Sequence, residues 1–368
     1  MKHMRWIAAA AASILLAACG GGSIDIVHPV KVAGDSLADS GTFGYKFTVQ
    51  GTARTGTGST PIWPEIIASE NFSSLCPHYV ATSVSTFNAN DKCTNYAIGG
   101  GRINNLKDPT SPVSITQQLK AMGAAGFDKN DIVLIDGGGN DAADLIKAFL
   151  AAAGDKGASF AAMLTTVLDP ATVQTLLAQG QTGMAQAGGL YMQALATQFA
   201  GTIKTNAVDK GAPRVVVLNV PDVTLTPQFG FVLAAIAQQQ GPEAAAQLKQ
   251  VFGGWVQAFN TTLGASFKDS KTVGVVDFDG TLKAMVAKPA DFGLTNTATP
   301  ACPVVGQDSS GLPEYDFPTC TAAALSAQTP PVGATGGANW WKTWLFSDSF
   351  HPTPRGHELM ADAVRKLL

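Results

Sequence analysis

Short apolar runs recur along the chain, and each ends in a turn signal. Val30-Lys31-Val32-Ala33 leads into Gly34, and Thr94 to Ile98 leads into Gly99-Gly100-Gly101. Asp131 to Asp136 leads into Gly137, Arg214 to Val220 into Pro221, and Val273 to Phe278 into Asp279-Gly280. Runs with so few polar positions predict strands covered on both faces, hence a parallel sheet. The intervals between them are long enough for crossover helices. The pattern therefore predicts an α/β fold with about five parallel strands and helical insertions. In such sheets ligands bind beyond the carboxyl ends of the strands, where three of the glycine turns fall.

The intervening segments carry helical patterning. Ala142 to Ala207 is rich in Ala, Gln, Leu and Met and predicts mainly helix, broken at Asp169-Pro170, where Pro170 suits a helix start. Phe229 to Phe267 predicts a second helical region. Residues 284–339 are richer in Pro, Thr and Gly and predict a partly irregular excursion. At the end of the chain Thr353 predicts an N-cap and Pro354 a first helical position. Met360, Ala363, Val364 and Leu367 then share one helical face. Trp340, Trp341 and Trp344 are expected to pack in a core, with an acyl pocket or lipid contact as the alternative. Phe149 to Leu168 is expected to be a packed helix, with a lid as the alternative.

Composition narrows the class. The chain has 368 residues, 46% apolar and 14% charged, which is enough for a sizeable core. The net charge is −3 with no basic run, which argues against nucleic acid as a partner. Lys2 and Arg5 precede an apolar stretch from Trp6 to Leu16. That is the layout of an export signal, too short for a permanent membrane span. The expected domains are a signal peptide at 1–18, a tether at 19–29 and one folded domain at 30–368.

Leu16-Ala17-Ala18-Cys19 resembles the lipobox of bacterial lipoproteins, which implies lipidation of Cys19 and a membrane anchor. Gly20 in place of Asp after the Cys implies, by that resemblance, the outer membrane. Ordinary cleavage giving a periplasmic or secreted protein is the alternative. Four cysteines remain, an even number that in an exported chain predicts disulfides. Of three pairings, Cys76–Cys93 and Cys302–Cys320 are favoured because each closes a short loop, worth roughly 3 kcal/mol apiece. A zinc site would require closer cysteine spacing than this chain has.

Four stretches carry chemistry: Gly34-Asp35-Ser36-Leu37, Gly99-Gly100-Gly101, Gly138-Gly139-Asn140-Asp141 and Asp348-Ser349-Phe350-His351-Pro352. Ser36, after a strand, is the candidate nucleophile, and a serine hydroxyl requires a base to accept its proton. Of five histidines, His28 and His351 have a carboxylate three residues earlier; His28 lies in the expected tether, which leaves His351, whose Asp348 can accept from one ring nitrogen while the other faces the serine. His357 is expected to be structural. The Ser36 N–H, the Gly100 N–H and the Asn140 side-chain amide are the candidate oxyanion donors. Asp141 is expected to make local hydrogen bonds, and Asp144 to lie at the surface.

Together these stretches resemble the four blocks of the GDSL, or SGNH, hydrolases, a family of esterases and lipases. Asn95 to Gly100 aligned on the second block selects Gly100 rather than Gly99. Trp63-Pro64-Glu65, Asn219-Val220-Pro221-Asp222 and His351-Pro352-Thr353 are similar to the family's bacterial lipase-like branch. The resemblance implies a flavodoxin-like three-layer α/β/α sandwich, an ester or lipid substrate, and no metal or organic cofactor. It implies hydrolysis of carboxylic esters through an acyl-enzyme on Ser36. An acyltransferase or a phospholipase would use the same residues. A non-catalytic surface-binding lipoprotein is the rival from another class. The sequence carries no signal for oligomeric state.

Overall fold

The structure, a computed structural model, describes residues 27–51, 60–309 and 311–368. The expected signal peptide, Cys19 and the tether up to residue 26 lie outside the described residues. The last part of the expected tether is docked. The His28 N–H donates to the Asn71 carbonyl at 3.2 Å, and its Nδ1 lies 3.1 Å from the Asn130 carbonyl oxygen.

The strands, in chain order, are β1 (Val30–Ala33), β2 (Tyr79–Ala81), β3 (Phe87–Ala89), β4 (Ile132–Ile135), β5 (Arg214–Leu218), β6 (Val273–Val276), β7 (Val304–Gln307) and β8 (Pro313–Tyr315). The central sheet has the order β1-β4-β5-β6, all parallel. The pairs β2–β3 and β7–β8 are small antiparallel hairpins outside it.

The expected strand over Thr94–Ile98 is reduced to isolated parallel bridges of Asn95 with Val32 and with Pro77. It still runs along the free edge of β1. The Val32 N–H donates to the Thr94 carbonyl, the Tyr96 N–H to Val32 and the Ile98 N–H to Gly34. Side chains replace the rest of the ladder: Thr94 Oγ1 donates to the Val30 carbonyl, and Asn95 Oδ1 accepts the Ala97 N–H. With this ribbon counted second, the five segments lie in the order 2-1-3-4-5, which is the flavodoxin-like arrangement.

Alternation along each strand divides the core in two. Val133, Ile135, Val215 and Val217 face a core built with helices Ile115–Ala125, Gly139–Asp155, Gly180–Asn206 and Pro242–Phe267. Ile132, Leu134, Val216 and Leu218 face the other side, packed by helices Trp63–Glu70, Phe278–Ala287 and Pro354–Arg365. The result is a three-layer α/β/α sandwich.

Both helical regions form as expected. Asp169 caps helix Pro170–Leu177 by accepting the Thr172 N–H at 2.9 Å. The helix expected over Phe149–Leu168 is instead divided, at Lys156-Gly157, between the end of helix Gly139–Asp155 and a short helix Ala158–Leu164, and Phe160, Met163 and Leu164 are buried in the main core. In the last helix Thr353 Oγ1 accepts the Gly356 N–H, and Met360, Ala363 and Val364 are buried. Leu367 departs from the expectation. The helix ends at Arg365, so Leu367 leaves the helical face and is exposed.

The excursion makes a third, smaller core. Trp340, Trp341 and Trp344 pack there with Val49, Leu325 and the disulfide Cys302–Cys320. The other disulfide joins Cys76 to Cys93. Among the described residues, no helix is long and apolar enough to cross a membrane.

Candidate active site

Ser36 sits in the turn that follows β1, and a buried carboxylate explains the glycine before it. Asp136, at the carboxyl end of β4, accepts the Asp35 N–H at 3.1 Å through Oδ1. A Cβ on residue 34 would collide with that same oxygen. Gly34 therefore lets the two strand ends close together. Burial raises the pKa of both Asp35 and Asp136, and the Asp35 charge pushes Asp136 further, well above the ordinary carboxylate range.

His351 arrives from the other end of the chain in a tight loop. Phe346 bridges Pro352 in antiparallel fashion, and the Ser347 N–H donates to the His351 carbonyl at 2.8 Å. Ser347 Oγ and Thr48 Oγ1 both donate to the Pro352 carbonyl, at 2.7 and 2.9 Å. The Cys302 N–H donates to the Ser347 carbonyl at 2.7 Å, which ties the disulfide to the same loop.

These constraints bring three side chains into one hydrogen-bonded line. His351 Nε2 lies 2.8 Å from Ser36 Oγ across 315 residues of sequence. His351 Nδ1 lies 2.8 Å from Asp348 Oδ2. The tautomer that donates from Nδ1 to the carboxylate leaves Nε2 free to accept the serine proton. Asp348 Oδ1 accepts the Phe350 and His351 N–H groups at 2.8 and 2.5 Å. Burial would raise the Asp348 pKa, but His351 and these hydrogen bonds outweigh it and hold the carboxyl below its ordinary range. The rings of Phe47, Phe317 and Phe350 surround the imidazole, with centroids 5.2, 5.5 and 5.7 Å away.

The glycine triplet resolves into three different roles. The Gly99 N–H donates to Asp39 Oδ2 at 2.8 Å and the Gly101 N–H to the Ile98 carbonyl at 2.9 Å. Among the described residues neither the Gly100 nor the Ser36 N–H meets a protein acceptor. Gly100 has φ +79°, a conformation glycine adopts without strain. Gly101 is required for space, because a Cβ there would lie 2.7 Å from the Gly34 carbonyl oxygen. Asn140, in the first turn of helix Gly139–Asp155, donates one amide hydrogen to the Gly101 carbonyl at 3.0 Å and keeps a second hydrogen available.

The residue the sequence reading missed is Arg102. Its Nη1 donates to the Gly100 carbonyl at 2.5 Å, and its Nε and Nη2 donate to Asp144 at 2.5 and 3.2 Å. Asp144 is thus half-buried in an ion pair and not a free surface residue. The arginine's place beside the triplet was the one available signal. Asp141 accepts the Ile103 and Asn104 N–H groups, in keeping with its expected local role. His357 is fully buried, and its Nδ1 accepts the Trp63 N–H at 3.4 Å. Burial lowers its pKa to about 3, so it stays neutral.

The family model for GDSL-like lipases and acylhydrolases matches residues 30–364. The chain belongs to this family. GDSL-like lipases and acylhydrolases are hydrolases of the esterase and lipase type, and the three-layer α/β fold described above agrees with membership. A lipase from a goat rumen metagenome is 13% identical, covering 93% of this chain and 97% of its own, with a TM-score of 0.39. A phospholipase A1 from Streptomyces albidoflavus is 12% identical, covering 93% of this GDSL-like chain and 100% of its own, with a TM-score of 0.39. No curated protein matches the chain.

Proposed function

We infer that the protein hydrolyses carboxylic esters through an acyl-enzyme on Ser36. The observation that carries this reading is the unbroken line from Asp348 through His351 to Ser36, with both gaps at 2.8 Å. His351 Nε2 accepts the serine proton as Oγ attacks the carbonyl carbon, then passes it to the departing alcohol. Water, activated by the same nitrogen, attacks the acyl carbon and releases the acid. Asp348 keeps the imidazole in the working tautomer and stabilises its charged form. The Ser36 and Gly100 N–H groups and the second Asn140 amide hydrogen supply three donors for the oxyanion. Each such donor is typically worth about 10²–10³ in turnover.

The reading includes export and anchoring through a lipidated Cys19. Two disulfides support an oxidising compartment. Mass analysis of the mature N-terminus tests the anchor: a diacylated Cys19 supports it, and an unmodified residue at any other cleavage site ends it.

A serine-directed fluorophosphonate label, located by peptide mass spectrometry, tests the nucleophile. The expected adduct is on Ser36, with ester hydrolysis lost in Ser36→Ala. A Ser36→Ala protein with full activity would remove the proposal.

A further inference from the structure

A wall of aromatic rings begins at the imidazole of His351, and the mechanism above makes no use of it. Phe47 lies nearest, its ring tilted by 33° to the imidazole at a centroid distance of 5.2 Å. The same ring covers Gly99, where an added Cβ would come within 2.2 Å of it. Phe47 therefore spans from the residue before the candidate donor Gly100 to the candidate base. Tyr45 continues the wall at 5.4 Å from Phe47, and Phe43 lies 6.4 Å from Phe47. Phe87, in β3, stands 6.2 Å from Phe43.

The local chain leaves these rings at the surface. Lys46 and Thr48 flank Phe47 in sequence and are buried. Lys46 Nζ donates to Glu65 Oε2 at 2.6 Å, and Thr48 Oγ1 donates to the Pro352 carbonyl at 2.9 Å. Phe43, Tyr45, Phe47 and Phe87 stay only half-buried, so large apolar side chains gather beside the candidate base with surface still facing water. Phe317 backs them from inside. It is buried, meets Phe47 edge-on at 5.5 Å and stacks 6.2 Å from Tyr45. The disulfide Cys302–Cys320 closes the segment that carries it. Neighbouring rings are in mutual contact, so a ligand meets their outer surface.

The chemistry decides which part of an ester this wall faces. The imidazole passes its proton to the departing alcohol oxygen, which must come within about 3 Å of Nε2. The carbon that carries this oxygen then lies beside the imidazole, and the group attached to that carbon reaches Phe47. The acyl chain leaves the carbonyl carbon in the other direction.

We propose that Phe47, with Tyr45 and Phe43 beyond it, forms a subsite for the alcohol part of the ester and selects alcohols that carry a planar aromatic ring close to the oxygen. The inference rests on the reading of Ser36 as nucleophile and His351 as base. Aromatic rings meet edge-to-face or offset-stacked with a gain beyond that of the buried area. That gain is the advantage over an alkyl group of the same outline.

The test uses two isomers, benzyl acetate and methyl phenylacetate, which carry the same phenyl ring on the alcohol side and on the acyl side. The quantity read is the ratio of kcat/KM on benzyl acetate to kcat/KM on methyl phenylacetate. Full-length wild type is expected to favour benzyl acetate. Phe47→Leu keeps apolar bulk beside His351 but removes the ring, and is expected to lower the ratio about fivefold. Phe47→Tyr is expected to keep it. Tyr45→Leu, one ring further from the imidazole, is expected to lower the ratio in the same direction, and it carries the test if Phe47→Leu does not fold. Cyclohexylmethyl acetate separates an aromatic preference from a merely apolar one: wild type is expected to favour benzyl acetate, and equal values would overturn the aromatic selection. An equal loss on both isomers in Phe47→Leu would make the ring a prop for His351 and overturn the subsite. A loss confined to methyl phenylacetate would overturn its placement on the alcohol side. Either result, with hydrolysis still dependent on Ser36, leaves the nucleophile standing. Hydrolysis that survives Ser36→Ala would instead remove the reading on which the subsite rests.

Discussion

Arg102 holds the Gly100 carbonyl at 2.5 Å while the same guanidinium is anchored on Asp144. The bond fixes the peptide that follows the free Gly100 N–H, and so fixes where that N–H points. Arg102→Ala is expected to lower kcat roughly tenfold to a hundredfold, because small displacements of a positioned group are costly. KM should stay within about threefold, since the substrate is bound elsewhere. Steady-state kinetics on a small neutral ester checks this. A change in KM alone would assign the arginine to binding.

Asp348 offers a test of tautomer control. In Asp348→Asn the amide oxygen can still accept the Phe350 and His351 N–H groups, but its NH₂ then faces Nδ1. The imidazole must turn to the other tautomer, with a hydrogen on Nε2 aimed at Ser36. The expected loss in kcat is on the order of 10⁴ with little change in KM. Burst kinetics would show acylation itself slowed. A loss under tenfold would mean that Asp348 is not the residue orienting His351.

Gly34→Ala is expected to destabilise the fold and damage the site together. The added Cβ runs into the Asp136 carboxylate, which holds the Asp35 N–H. Overpacking of this kind typically costs about 1–3 kcal/mol. The urea midpoint should fall with an unchanged slope. A neutral result would show that β1 and β4 separate more easily than their buried register implies.

Asp39 supplies a pH prediction. Burial raises its pKa from 3.8 to about 6, against the bonds it accepts from Thr42, Gly41 and Gly99. A folded-state value above the unfolded one means a contribution fully present below about pH 4 and lost as pH rises through about 6. The rise corresponds to on the order of 3 kcal/mol. Asp39→Asn removes this titration. The stability of wild type relative to Asp39→Asn should therefore be greater at pH 4 than at pH 8 by about that amount. Urea denaturation at both pH values measures it, and a difference independent of pH would exclude the raised value.

What the sequence determined by itself is local. Apolar runs placed β1, β4, β5 and β6 within two residues at each end, because burial on both faces leaves no room for polar side chains. Thr353-Pro354 and Asp169-Pro170 marked their helix starts, since a cap needs only the next three residues. The three-residue spacing between Asp348 and His351 was legible for the same reason. The family resemblance singled out Gly100 over Gly99, and no short stretch of sequence reveals that the Gly99 N–H is taken by Asp39, 60 residues away. Arg102 escaped notice because Asp144, the partner that aims it, lies 42 residues on. Asp136 was invisible as the reason for Gly34, across 101 residues. Thr94–Ile98 lost its regular ladder to its own polar side chains. Contacts of this range depend on how strand ends and helix starts converge. That convergence is set by packing of the two cores on the sheet, and no short stretch of chain encodes it.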